Sequence, residues 1–134
     1  MNKRGAKIQY DTLPNIDGVN VLIYQLFYNL INNSLKFSRP DQLPVIQIAS
    51  KVKTDSIQIT ITDNGIGFDP EHNESIFNTF VRLNSKNKYD GTGLGLSLAK
   101  KIVERHHGTI TAQGRMNEGA AFTMEFPVSK HPVL

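Results

Sequence analysis

Three polar residues on one predicted helix have a spacing that could do chemistry. In "NLINNSLKFS" (29–38), Asn29, Asn33 and Lys36 stand at i, i+4 and i+7 and so share one face. Asparagine is a poor helix former, yet "NLINN" holds three. A side-chain amide oxygen suits Mg²⁺, and a nearby lysine ammonium can neutralise phosphate. The same residues would also serve as the helix's solvated side, and the face alone leaves both readings open. Two glycine-bearing stretches raise the same choice. "DNGIG" (63–67) and "GTGLG" (91–95) contain glycines that let a backbone approach a ligand closely or adopt positive φ. The second runs straight into a predicted helix, whose first N–H groups and positive end suit an anion. Either stretch by itself is also a tight turn, and Asp-Asn-Gly after an alternating run is a strong hairpin signal.

Other catalytic templates are absent. There is no GxxxxGK[ST] phosphate loop, and GxGxG after a loop is not a dinucleotide fingerprint. His72, His106, His107 and His131 have no metal-ligand partners at suitable spacing, and no serine sits in a GxSxG elbow. His106 and His107 close a predicted helix, where they suit its C-terminal dipole. Without cysteine there is no disulfide, thiolate metal site or thiol nucleophile, which fits a reducing compartment.

The elements that must position these residues follow from hydrophobic periodicity. "AKIQY" (6–10) is a short strand. Residues 18–38 form a long helix, with Leu22, Leu26 and Leu30 beside Ile23, Phe27 and Ile31, and Pro40 stopping it. "VIQIASKV" (45–52) and "SIQITITD" (56–63) alternate at period two around Lys53-Thr54-Asp55 and make a hairpin. Residues 68–90 are weakly periodic, with one helical stretch at 74–83; a connection of this kind is commonly a functional lid. "LGLSLAKKIVERHH" (94–107) is a second helix, with Leu94, Leu98 and Ile102 on one face and Gly108 ending it. "TITAQG" (109–114) and "AAFTMEFPV" (120–128) form a hairpin turning at Asn117-Glu118-Gly119. The order β-α-β-β-lid-α-β-β predicts an α/β (α+β) two-layer sandwich. Its mixed, mostly antiparallel sheet of about five strands would be covered on one face by about three helices.

At 134 residues, with 39% hydrophobic and 20% charged, the chain is one ordinary globular domain rather than a disordered segment. A net charge of +3 is too mild for a nucleic-acid protein, and the basic residues are scattered. Arg82, Lys86 and Lys88 cluster in the predicted lid, where they are compatible with an anionic ligand. Lys100 and Lys101 read as a solvated helix face. No apolar run approaches the roughly 18 residues of a membrane span, and the basic start "MNKRGAKIQY" lacks a signal-peptide apolar region.

In this order, an Asn-rich helix, DNGIG, IFNTFVR and GTGLGL resemble the ATP-binding domain of the Bergerat-fold family, shared by sensor histidine kinases, type II topoisomerases and certain chaperones. The likeness to bacterial sensor histidine kinases is close. Residues 29–38 match the N box, 63–67 the G1 box, 76–82 the F box and 91–96 the G2 box, with a lid at about 68–95. The resemblance covers nearly the whole chain, roughly residues 6–128. The wording "YDGTGLGL" is similar to kinases of the phytochrome-associated type.

The resemblance implies roles. Asn33 would coordinate Mg²⁺, Asn29 would lie close to the phosphates, and Lys36 would contact them. Phe37 would help wall the nucleotide. Asp63 would accept from the adenine amino group, with Gly65 and Gly67 allowing close approach and Phe68 flanking the base. Gly91, Thr92, Gly93, Leu94, Gly95 and Leu96 would form the hinge and phosphate edge of the lid, and Arg82 would reach the γ-phosphate. ATP-hydrolysing relatives carry a general-base glutamate one turn before the Mg²⁺ asparagine. Asn29 stands there, and an amide cannot take a proton at neutral pH. Transfer to a neutral imidazole needs less help, since that group is already a nucleophile, and positioning with charge neutralisation supplies most of the catalysis.

The expected function is therefore the catalytic part of a two-component kinase, using ATP and Mg²⁺ in the cytoplasm and leaving the anchoring of the parent protein open. Its phospho-acceptor histidine would lie on an upstream dimerisation domain missing from this chain, with a response-regulator receiver downstream. Alone, the chain is expected to be monomeric, to bind ATP and not to phosphorylate itself, without contact to nucleic acid or membrane. An anti-sigma-type serine kinase and a degenerate docking module are the competing readings. The first usually keeps the glutamate, and the second is at odds with four intact boxes. Two departures stand out: Ser34 replaces the alanine usual after the N-box asparagine, and Ala120-Ala121 replace a hydroxyl residue near the base.

Overall fold

The computed structural model describes residues 7–10, 20–77 and 95–127. Its elements run β1 (Lys7–Tyr10), α1 (Asn20–Lys36), β2 (Val45–Val52), β3 (Ser56–Asp63), two single 3₁₀ turns (Pro70–His72 and Ser75–Phe77), α2 (Gly95–Arg105), β4 (Thr109–Arg115) and β5 (Gly119–Pro127). The five strands form one sheet in the order β1-β2-β3-β5-β4. β1 pairs parallel with β2, as a strand–helix–strand crossover requires, and the other three pairings are antiparallel.

Alternation decides which face is covered. Ile57, Ile59 and Ile61 of β3 stand in register with Phe126, Met124 and Phe122 of β5, and all six are buried. Ile46 and Ile48 of β2 and Ile110 and Ala112 of β4 extend this layer on either side. The opposite face carries Thr60 and Thr123, whose hydroxyls approach to 3.4 Å, together with exposed Gln47, Thr111 and Gln113. Among the described residues, helices thus cover one face, as the period-two pattern of an antiparallel sheet allows. Leu26 and Leu30 of α1 and Ala99, Ile102 and Val103 of α2 complete the core.

Four expectations change in detail. Helix α1 ends at Lys36, ahead of Pro40, and Ser38 Oγ donates to the Leu35 carbonyl at 2.9 Å to help close it. On α2 the buried stripe is Ala99, Ile102 and Val103, at i, i+3 and i+4, while Leu98 is 42% exposed. That helix ends in a Schellman motif, Gly108 N donating to Val103 O (2.9 Å) and His107 N to Glu104 O (3.0 Å). His107, with φ of 63°, takes the left-handed position ahead of Gly108. The His106 ring also caps: its Nδ1 lies 2.8 Å from the Ile102 carbonyl and must be the protonated nitrogen. The described residues contain two α-helices rather than about three. Of the expected helical stretch at 74–83, only Ser75–Phe77 is described, as a 3₁₀ turn.

Candidate functional site

Asp63 continues the inward row Ile57, Ile59, Ile61, so the alternation places a carboxylate where an apolar side chain belongs. Leu26, Leu30 and Ser34 make a corresponding row on α1 at i, i+4 spacing, and all three are buried. The ends of the two rows meet: Ser34 Oγ donates to Asp63 Oδ2 at 2.9 Å. Asp63 Oδ1 accepts from Gly65 N at 2.9 Å and from Ala120 N of the neighbouring strand at 3.3 Å. Burial pushes the Asp63 carboxyl above its ordinary value, against the lowering influence of the Gly65, Ser34 and Ala120 bonds.

The chain after Asp63 makes no hairpin turn; β3 pairs with β5, and an extended loop follows. Asn64 turns back to the start of β2, accepting from Val45 N at 2.9 Å and donating to Leu43 O at 3.1 Å. A Cβ on Gly65 would lie 2.5 Å from the Phe37 carbonyl, which accepts from Ile66 N at 2.9 Å. Gly67, with φ of 64°, passes so near the β4–β5 turn that a Cβ would stand 1.9 Å from the Arg115 carbonyl. Phe68 is buried, its ring under Gly114, whose N–H bonds Asn73 Oδ1 at 3.0 Å. Arg39 fastens these pieces together. Its Nε donates to Asn64 O at 3.0 Å, one terminal nitrogen to Asn117 O at 2.6 Å, and the other to Gln42 Oε1.

The amide face of α1 adjoins Ser34. Asn29 Oδ1 accepts from Gln25 Nε2 at 2.9 Å, while Asn29 Nδ2 is buried without a hydrogen-bond partner among the described residues. Asn33 and Phe37 are half-buried and Lys36 is exposed. Leu96 packs against the core from the first turn of α2, which Gly95 opens. In the F box, Phe77 is buried edge-on to Phe122 (centroids 6.2 Å apart), with Lys100 Nζ 5.9 Å from its ring centroid. Arg82, Gly91, Thr92, Gly93 and Leu94 lie outside the described residues. Sequence reasoning missed Gln25, Arg39 and the Asp63 contact of Ser34. The last had a signal, since position 34 continues the Leu26–Leu30 row with a hydroxyl.

The chain belongs to the histidine kinase-, DNA gyrase B-, and HSP90-like ATPase family, whose model matches residues 18–130. It is a domain of the sensor histidine kinase type. It is 41% identical over 124 residues to cyanobacterial phytochrome A of Nostoc sp., covering 92% of this chain and 16% of that one. The adaptive-response sensory kinase SasA of Synechocystis sp. is 36% identical over 130 residues, covering 95% of this chain and 34% of that protein. The chain therefore spans a minor part of these relatives' length. Among solved structures, the catalytic domain of histidine kinase ThkA superposes with a TM-score of 0.73 at 27% identity, covering 91% of this chain and 78% of that one. The mycobacterial sensor histidine kinase MprB shares the fold, with a TM-score of 0.79 at 21% identity over 91% of this chain and 83% of that one. Among the described residues no helix is long and apolar enough to cross a membrane.

Proposed function

We propose that this domain binds Mg-ATP with adenine at Asp63 and presents the γ-phosphoryl group to a histidine on a separate dimerisation domain. The observation that carries this reading is the Asp63 carboxylate, an ionisable acceptor placed in the apolar inner layer. Its Oδ1 holds two main-chain N–H groups while Oδ2 keeps accepting capacity beyond the Ser34 bond. An exocyclic amino group matches that oxygen. A site that hydrogen-bonds such a group rejects analogues lacking it.

The phosphates then lie along the face of α1. The buried, unpartnered Nδ2 of Asn29 is a donor suited to a phosphate oxygen, and exposed Lys36 supplies positive charge. Magnesium fits the donor set, because Asn33 offers an amide oxygen and the described residues hold no cluster of His, Cys, Asp or Glu that would favour another metal. Mg²⁺ bound with the nucleotide would neutralise phosphate charge; the chain's own part is to orient the chain of phosphates. Asn29 cannot deprotonate water, so hydrolysis without an acceptor is slow. Arg82 and the 91–96 glycine stretch complete the phosphate side, with the upstream histidine domain and a receiver domain as protein partners in the cytoplasm.

Calorimetric titration with ADP and a non-hydrolysable ATP analogue, with and without Mg²⁺, tests this on the chain and on Asp63→Asn. The expected result is binding that Mg²⁺ strengthens and the substitution weakens about a hundred-fold. A dimerisation domain added in trans should then acquire phosphohistidine from ATP. Substantial ATP turnover abolished by substituting Asn29 would overturn the kinase reading.

A further inference from the structure

Ser34 occupies a position where the nucleotide reading asks for nothing, yet the residue is 3% exposed and its hydroxyl is committed to Asp63. The two carboxylate oxygens are held differently. Oδ1 accepts from Gly65 N and Ala120 N, whereas Oδ2 accepts from Ser34 alone among the described residues. Because the hydroxyl proton points at Oδ2, the remaining lone pairs of Ser34 and of Oδ2 are what this pair offers a ligand. An amino group meets acceptors there. A 6-oxo purine would set lone pairs against lone pairs.

That arrangement holds only while the carboxyl is ionised. Burial favours its neutral form, and the opposing influences are the hydrogen bonds from Gly65, Ser34 and Ala120. The groups facing Asp63 are Ser34 from α1, Gly65 from the loop, Ala120 from β5 and, in register, Ile46 from β2. No charged side chain is among the influences on it. Beyond the end of α1, Arg39 gives its guanidinium to Asn64, Asn117 and Gln42, and Lys36 is exposed. The two main-chain donors are fixed by the fold, so the Ser34 hydroxyl is the one side-chain bond that evolution or mutation can remove. Without it the neutral form gains, and a protonated carboxyl carries an O–H able to donate to a 6-oxo group.

Resting on the adenine-reading role of Asp63, we propose that Ser34 is a positioning residue that holds this carboxylate as a pure acceptor and so sets the site's preference for a 6-amino over a 6-oxo purine. The preference is a difference of two affinities, and Ser34 acts on both, since it favours the amino group and disfavours the carbonyl.

The test compares ADP and inosine diphosphate by calorimetry from neutral to mildly acidic pH, on the unmutated chain, Ser34→Ala, Ser34→Thr and Asp63→Asn. The Asp63 carboxyl is titrated in parallel by ¹³C NMR without ligand. In Ser34→Ala the titration midpoint should move upward and the ADP-over-IDP preference fall about ten-fold or more, further at acid pH. Restoring the hydroxyl in Ser34→Thr should recover both. An unmoved midpoint and preference in Ser34→Ala, with ADP binding still lost in Asp63→Asn, would overturn the role of Ser34 and leave the adenine reading standing. ADP binding that survives Asp63→Asn would overturn that reading and the preference with it.

Discussion

Gln25 Nε2 donates to Asn29 Oδ1 across one turn of α1, at 2.9 Å, and this bond leaves the Asn29 Nδ2 buried without a partner among the described residues. A buried amide donor in that state bears a desolvation penalty of about 1–3 kcal/mol. Removing it relieves the penalty while losing the bond from Gln25, and the two effects nearly cancel. Asn29→Ala should therefore change the stability of the ligand-free domain by less than about 1 kcal/mol, yet weaken Mg-nucleotide binding about ten-fold. Urea unfolding and calorimetry check the two halves separately. Unchanged affinity with a large loss of stability would show that Asn29 is a structural residue.

Gly67 separates backbone requirement from ligand contact. Its φ is 64°, and a Cβ there would lie 1.9 Å from the Arg115 carbonyl and 2.6 Å from the Gly119 carbonyl. Neither obstacle is the end of a flexible side chain, so the β4–β5 turn itself would have to move. Gly67→Ala should destabilise the ligand-free protein by about 2 kcal/mol or more. Denaturant unfolding measures this without nucleotide; a loss of only a few tenths would mean that the turn yields freely.

How far this could be read from sequence depended on whether a signal was local. The strands β2 and β3 begin and end where the alternation of "VIQIASKV" and "SIQITITD" says, because a sheet covered on one face imposes period two on every residue. The role of Asp63 came only with the family resemblance, because the local pattern of Asp-Asn-Gly after an alternating run also fits a hairpin turn, and the structure shows the carboxylate continuing the inward isoleucine row instead. The stripe on α2 was misjudged because Leu98 and Ala99 are adjacent in sequence, and only the packing shows that the smaller residue faces the core. Arg39 could not be found at all. Its acceptors Asn64 and Asn117 lie 25 and 78 residues away, and no local pattern joins them.

That clamp has a distinctive chemistry, because its three acceptors are neutral oxygens on Asn64, Asn117 and Gln42. Arg39→Met should cost about 1–3 kcal/mol and, unlike the loss of an ion pair, should cost the same at low and high salt. Arg39→Lys should fail to restore the loss, since one ammonium cannot reproduce a planar fork of donors. Thermal unfolding of the two variants at two ionic strengths settles both points. A salt-dependent loss would mean that Arg39 works through a carboxylate instead.

Asp63 should also make stability depend on pH in the direction opposite to most carboxylates. Its folded-state value is raised above the ordinary 3.8, chiefly by burial. Between 3.8 and that raised value the folded state binds more protons than the unfolded chain, so stability falls as pH rises through this window. The contribution is fully present below 3.8 and is gone once pH passes the folded-state value. Above it, burial of the charge is a cost that the Gly65, Ser34 and Ala120 bonds offset only in part in the absence of ligand. Asp63→Asn removes the charge while its amide oxygen can still accept from Gly65 and Ala120, and its NH₂ can donate to Ser34. The variant should unfold at higher denaturant than the parent at neutral pH, and the gap should close on acidification through the Asp63 titration. Paired urea titrations across that range would show it, and a variant less stable than the parent at neutral pH would mean that the ionised carboxylate holds the loop together rather than straining it. With the gain in stability, the same substitution should abolish tight ADP binding. A carboxylate that weakens the ligand-free fold and is needed to hold adenine is accounted for by binding and not by folding.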